Sequence, residues 1–236
     1  MNLAFISDLH LSEETRELNS AFFNFLNRHN NAFDQLFILG DLFEVWLGDD
    51  DASSFTNDIS NALSKFSQKG TEIFFIHGNR DFLIGKNFLA RSEMTLLSDP
   101  FIFEFFDKKI ALSHGDIFCT DDLEYQNFKK EVRTQTWQNN FLSKSLLERK
   151  QIAANMRDAS KSLSMQKQST IMDVNENAVQ EFAEAYNIDV LIHGHTHRPK
   201  IHHHDAIKRV VLGDWSSSGW YLSIIDNDLD LKEFKI

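Results

Sequence analysis

Several things are scarce in this chain, and each scarcity excludes something. Cys119 is the one cysteine in 236 residues, which excludes an internal disulfide framework and fits a reducing compartment. Two prolines and no low-complexity tract leave nothing that reads as a linker, so residues 1–236 are expected to form a single domain. No apolar run approaches the roughly 20 residues that cross a bilayer. The N-terminus enters "LAFISD" without a basic region or a cleavage site, which predicts no signal peptide and a cytoplasmic protein. Excess positive charge is missing too: a net charge of −11 argues against nucleic acid as a partner. Nothing in the pattern points to an obligate protein partner.

What is present is a series of short apolar runs, and several of them end in a polar cluster. "NLAFIS" ends at Asp8 and His10, "QLFILG" at Asp41, "EIFFIHG" at Asn79, "KIALSHG" at His114 and "DVLIHGHTH" at His195 and His197. Helix-like segments near 14–30 and 52–69 separate the early runs, so strand and helix alternate as in an α/β sheet. The later runs "FIFEFF", "KIALSH", "RVVLGD" and "YLSIID" follow one another closely and suggest antiparallel partners. A mixed sheet layered with helices is expected, with two packed sheets as a variant. In such folds ligand sites gather beyond the carboxyl ends of strands.

One segment breaks the pattern. From Phe128 to Lys167 strand character is weak, and nine basic residues face three acidic ones, a net +6 inside an acidic protein. Trp137, Phe141, Leu142, Leu146, Leu147, Ile152 and Met156 are interleaved with the cations. The pattern predicts a helical insertion with an apolar and a cationic face. It reads either as a solvated hairpin packed on the main domain or as a cap for an amphipathic anion or an anionic membrane surface.

The strand-end residues are the strongest signal. Asp8-Leu9-His10, Gly40-Asp41, Gly78-Asn79, His114 and Gly194-His195-Thr196-His197 supply carboxylate, imidazole and amide, the mixed donor set suited to Mn²⁺, Zn²⁺ or Fe. Strand alternation is expected to turn Asp8 and His10 to one side, and likewise His195 and His197. The adjacent glycines allow tight turns and close backbone approach.

This set resembles the calcineurin-like metallophosphoesterases, whose pattern is D-x-H, G-D, G-N-H, H and G-H-x-H. The resemblance implies a sandwich of mixed β-sheets flanked by helices. It also implies a binuclear centre in which Asp8, His10, Asp41 and His197 hold one ion, and Asp41, Asn79, His114 and His195 the other. Asp81 or Asp116 could orient the histidines. The family follows the ligand Asn with His; here that residue is Arg80. A guanidinium suits phosphate geometry but cannot donate its proton at neutral pH, so a substrate with a stable leaving group, such as a pyrophosphate, is expected.

Longer runs narrow the resemblance. "GDLFEVWLGDDD", "HGNRDFLIG", "SHGDIFCTDDLEYQNF", "MRDASK", "IMDVN" and "IHGHTHRP" look like the family of UDP-2,3-diacylglucosamine pyrophosphohydrolases, from Ser7 to about Trp215. That family acts in lipid A synthesis, peripherally on the cytoplasmic side of the inner membrane. The resemblance implies two Mn²⁺ ions and water attack on the α-phosphorus, with UMP and 2,3-diacylglucosamine 1-phosphate as products. Asp41, Asn79, Arg80 and His195 would be catalytic. Asn79, Arg80, Asp122, Arg157, Ser160, Ser164, Lys167 and His195 would contact substrate, Ser164 standing where some members have Asn. The insertion would be a cap over 122–168. Phe43, Val45, Trp46 and Leu47 either line an acyl-chain path or are ordinary core. His202, His203 and His204 fall off the motif and read as loop or edge strand. His193 reads as structural, and Cys119 lacks the base pattern of a catalytic thiol.

Overall fold

The computed structural model describes residues 1–164, 173–204 and 207–236. Two mixed sheets pack face to face with helices outside. The first contains β1 (Leu3–Ile6), β2 (Gln35–Ile38), β3 (Glu72–Phe75), β4 (Met94–Leu96), β10 (Ser218–Ile225) and β11 (Asp228–Lys235), in the order β11-β10-β1-β2-β3-β4. The second contains β5 (Phe101–Phe105), β6 (Lys108–Ser113), β7 (Val190–His193), β8 (Lys200–His203) and β9 (Lys208–Val211), in the order β5-β6-β7-β9-β8. The variant with two packed sheets is the one observed.

Why the runs behave as they do is visible in β1. "LAFI" is buried on both faces, as expected of a strand covered on both sides. Leu3 and Phe5 face the layer between the sheets with Leu112, Ile192 and Val210. Ala4 and Ile6 face the helices. The abundance of phenylalanine, 22 residues, has a use here. Phe5 stacks on Phe37 at 5.0 Å between ring centroids, and Phe37 stacks on Phe74 at 5.0 Å and on Phe103 of the other sheet at 5.7 Å.

Pairing sorts the later runs. β5 is antiparallel to β6 as expected, and β10 is antiparallel to β1 and β11. "RVVLGD" departs from expectation: β9 runs parallel to β7, with the edge strand β8 as its antiparallel partner. β6 and β7 run parallel, and the crossover this requires includes α7 (Glu176–Tyr186), which precedes β7 and packs on the outer face of the sheet with Leu191 and Ala111. β8 carries His202 and His203, so part of the histidine tract is edge strand.

The early helices are α1 (Arg16–Arg28), α2 (Ser54–Ser67) and α3 (Lys86–Ser92). α1 buries Ala21, Phe22, Phe25 and Leu26 as one stripe, and α2 starts where the Ser53 side chain accepts from Thr56 N–H. Between β6 and α7 lie α4 (Leu123–Val132), α5 (Gln135–Leu142) and α6 (Leu146–Ser164). Phe141 is buried in the core that holds Trp46, Leu47 and Phe43, with Trp137, Leu146, Ile152 and Ala153 against it. Those three residues after Asp41 are therefore core, while Val45 is 48% exposed. Among the described residues, no helix is long and apolar enough to cross a membrane.

Candidate metal centre

Beyond the carboxyl ends of β1, β2, β3, β6 and β7, the loops are zipped together by main-chain hydrogen bonds. Asp8 N–H donates to Gly40 O at 3.1 Å, His10 N–H to Asp41 O at 3.0 Å, Gly194 N–H to His114 O at 2.9 Å and Trp215 N–H to Asp8 O at 3.0 Å. This lattice takes up the main-chain groups that the sheets leave unpaired.

Side-chain direction has a different origin from the one expected. β1 stops at Ile6 and β7 at His193, so alternation within a strand does not aim the ligand candidates. Left-handed backbone does: φ is +55° at Asp8, +51° at His10, +52° at Asp41, +67° at His195 and +55° at His197. Such φ values are uncommon outside glycine and cluster at functional sites. Neighbouring glycines make the approach possible. A Cβ on Gly78 would lie 2.1 Å from Asp41 Oδ1, and one on Gly40, at φ +86°, would lie 2.6 Å from His114 Nδ1.

The side chains converge in two adjoining groups. In one, His10 Nε2 and His197 Nε2 are 3.3 Å apart, and His197 Nε2 is 3.3 Å from Asp8 Oδ1. In the other, Asn79 Oδ1 is 2.9 Å from both His114 Nε2 and His195 Nδ1, which lie 3.2 Å from each other. Asp8, Asp41 and His114 present donor atoms within 4.8 Å of one another and join the two groups. His114 Nδ1 donates to Leu39 O at 2.9 Å, which fixes the ring and turns Nε2 toward the other donors, as the nitrogen that would meet a metal. Asp8 Oδ2 accepts from Ser7 Oγ at 2.6 Å and from His195 N–H at 2.9 Å. Asp8 Oδ1 is buried without an aligned hydrogen bond.

Charge is concentrated accordingly. Burial opposes a charged imidazole at His114, but Asp41, Asp8 and Asp116 outweigh it and lift its pKa to about 9. Burial and the nearby His114 push His195 down to about 4. Burial opposes ionisation of Asp8, but the facing His197 and the other ring cations hold its carboxyl well below the usual range. Opposed ring nitrogens at 3.2–3.3 Å and a buried carboxylate oxygen that lacks an aligned hydrogen bond make a donor set that divalent cations fit.

The orienting acids act differently from expectation. Asp81 accepts from Gly78 N–H at 2.9 Å and Leu42 N–H at 2.7 Å, so it holds the two ligand-bearing turns rather than a histidine. Burial and Asp41 raise its pKa to about 7. Asp116 meets the Tyr125 hydroxyl and, at 2.9 Å, Lys129 Nζ, tying α4 to the rim. His193 donates to Gly194 O at 2.9 Å and is buried beside Arg209.

Arg80 stands at the rim. Its N–H donates to Asp41 Oδ1 at 2.8 Å and its Nη1 is 3.3 Å from Glu44 Oε1. Arg157, on α6, reaches the same Glu44 oxygen. Asp122 caps α4 by accepting from Tyr125 N–H at 3.1 Å. Ser160 is an exposed α6 residue. The Ser164 side chain and Lys167 lie outside the described residues. Sequence reasoning missed Glu44, whose signal was an acid inside an otherwise apolar run. It also missed Tyr125, whose ring lies 5.8 Å from that of His195.

The calcineurin-like phosphoesterase family model matches residues 1–199. A UDP-2,3-diacylglucosamine hydrolase of Aromatoleum aromaticum is 45% identical over 94% of this chain and 92% of its own. One of Escherichia coli is 43% identical over 99% of both chains. A solved archaeal phosphodiesterase shares the fold, with a TM-score of 0.51, 14% identity and full coverage of both chains. The chain belongs to the calcineurin-like phosphoesterase family and, within it, to the UDP-2,3-diacylglucosamine hydrolases.

Proposed function

We propose that this chain hydrolyses the pyrophosphate bond of UDP-2,3-diacylglucosamine to UMP and 2,3-diacylglucosamine 1-phosphate, a step of lipid A biosynthesis. The observation that carries the reading is the pair of adjoining donor groups with Arg80 at their rim, in a chain similar to curated hydrolases along nearly its whole length.

Asp8, His10, Asp41 and His197 would hold one Mn²⁺, and Asp41, Asn79, His114 and His195 the second. Two such ions, when bound, lower the pKa of water and stabilise charge on phosphoryl oxygens. The chain's own residues do the rest. Asn79 adds no negative charge to a site that must accept a phosphate. Arg80 orients and neutralises the diphosphate with its planar fork of donors. It gives no proton, and a phosphate leaving group needs none. Attack falls on the α-phosphorus, which releases UMP.

The segment 122–168, which carries α4, α5 and α6, serves as the cap. Arg157, Ser160, Ser164 and Lys167 would meet the head group, with Asp122 holding the start of α4. Leu123, Phe128, Leu142 and Leu147 are exposed on the cap and would meet acyl chains or the cytoplasmic face of the inner membrane. Each buried CH₂ contributes about 0.8 kcal/mol.

The test is UMP release from UDP-2,3-diacylglucosamine, with and without Mn²⁺, against a UDP-sugar without acyl chains. Mn²⁺-dependent release that favours the acylated substrate is expected. No release from folded, Mn²⁺-loaded protein sinks the reading.

A further inference from the structure

Glu44 lies where the metal centre meets the cap. Its main chain is pinned to the first ligand loop, N–H donating to Leu11 O at 3.0 Å, one residue beyond His10. Its side chain is largely covered, at 21% exposure, and divides its two oxygens. Oε2 stands 3.3 Å from His10 Nδ1, the buried ring nitrogen that faces away from His197, as an ion-pair contact without an aligned hydrogen bond. Oε1 receives Arg80 Nη1 at 3.3 Å and Arg157 from α6. One carboxylate therefore touches a metal-ligand ring, the rim arginine and an arginine of the cap.

We propose that Glu44 is a positioning residue that orients His10 for metal and docks α6 against the rim through Arg157. The proposal deepens the substrate reading above and, for its kinetic part, rests on it. A carboxylate on the far nitrogen of an imidazole fixes ring orientation and raises its basicity toward a metal. Two guanidiniums drawn to one oxygen would repel each other without it. Glu44 keeps both cations side by side before an anion arrives, so the diphosphate meets a prearranged pair instead of assembling it.

Glu44→Ala, the isosteric Glu44→Gln and Glu44→Ala combined with Arg157→Ala test this. Calorimetric titration with Mn²⁺ alone reads the His10 role; Glu44→Ala is expected to weaken affinity by about 10–100-fold, and Glu44→Gln by less. Amide exchange around Arg157 in α6 reads the docking and is expected to accelerate in Glu44→Ala. UMP release at saturating Mn²⁺ should show KM rising more than kcat falls. In the Arg157→Ala background, Glu44→Ala should raise KM by less than it does alone, because coupled residues do not add, and what remains should act through Arg80. Unchanged Mn²⁺ affinity, unchanged exchange, or KM effects that multiply in full would each overturn the proposal. The first two readouts need no substrate, so they stand or fall apart from the substrate reading. Glu44→Gln keeps the test open if the alanine variant fails to fold.

Discussion

Around the metal centre the main chain sets position; on the helical cap a handful of side chains does. Five ligand candidates sit in left-handed backbone between loops that hydrogen-bond to one another. Moving one would break several main-chain contacts. The cap instead hangs on Phe141 in the core and on charged tethers. Arg149 is buried, donating to Leu47 O at 2.6 Å and pairing with Asp50. Arg133 donates to Gly78 O at 2.8 Å, and Lys129 meets Asp116 at 2.9 Å. In the proposed reading, the chemistry sits where main-chain contacts set position, and recognition of the bulky ligand falls to the element held by side chains.

The comparison breaks hardest at Asp41. Asp41→Ala should lower UMP release by about three orders of magnitude, the scale of losing a preorganised charge-stabilising group, because in the proposed assignment its carboxylate serves both ions. Activity near wild type, with Mn²⁺ still bound, would defeat the two-ion assignment. Arg80→Ala comes next, with a loss of about 100-fold in turnover and Mn²⁺ affinity within a few-fold of wild type. Loss of Mn²⁺ in that variant would move Arg80 from substrate handling to metal support. Arg149→Ala should act on the cap alone. KM is expected to rise about tenfold, the scale of one charge-assisted hydrogen bond, with kcat and Mn²⁺ affinity preserved and faster amide exchange in α6. A fall in kcat with unchanged KM would show that cap and centre are one rigid unit.

Much of the site was legible in the sequence because each ligand candidate directly follows a short apolar run, and strand ends in α/β folds gather at one edge. Arg80 was legible as a departure from a familiar pattern. Glu44 was not: an acid between Phe43 and Val45 looks like a solvated residue until α6 brings Arg157 to it. Asp81 was one of two acids that could orient a histidine, yet its partners are backbone amides from two loops 39 and 3 residues away. Backbone amides carry no residue signature. "RVVLGD" was expected to pair antiparallel because it follows its neighbours closely, but β8 takes the antiparallel place on its far side and β9 lies parallel beside β7.

By itself, the sequence determined the α/β class, the donor set, the helical insertion and the substitution of Arg80 for histidine, since these depend on residue type and local order. Tertiary structure alone decided how the donors face one another and how the cap meets them. Those depend on left-handed turns stabilised by contacts between distant loops, and on a carboxylate shared by arginines 77 positions apart. No local pattern encodes a contact whose partners arrive from different elements.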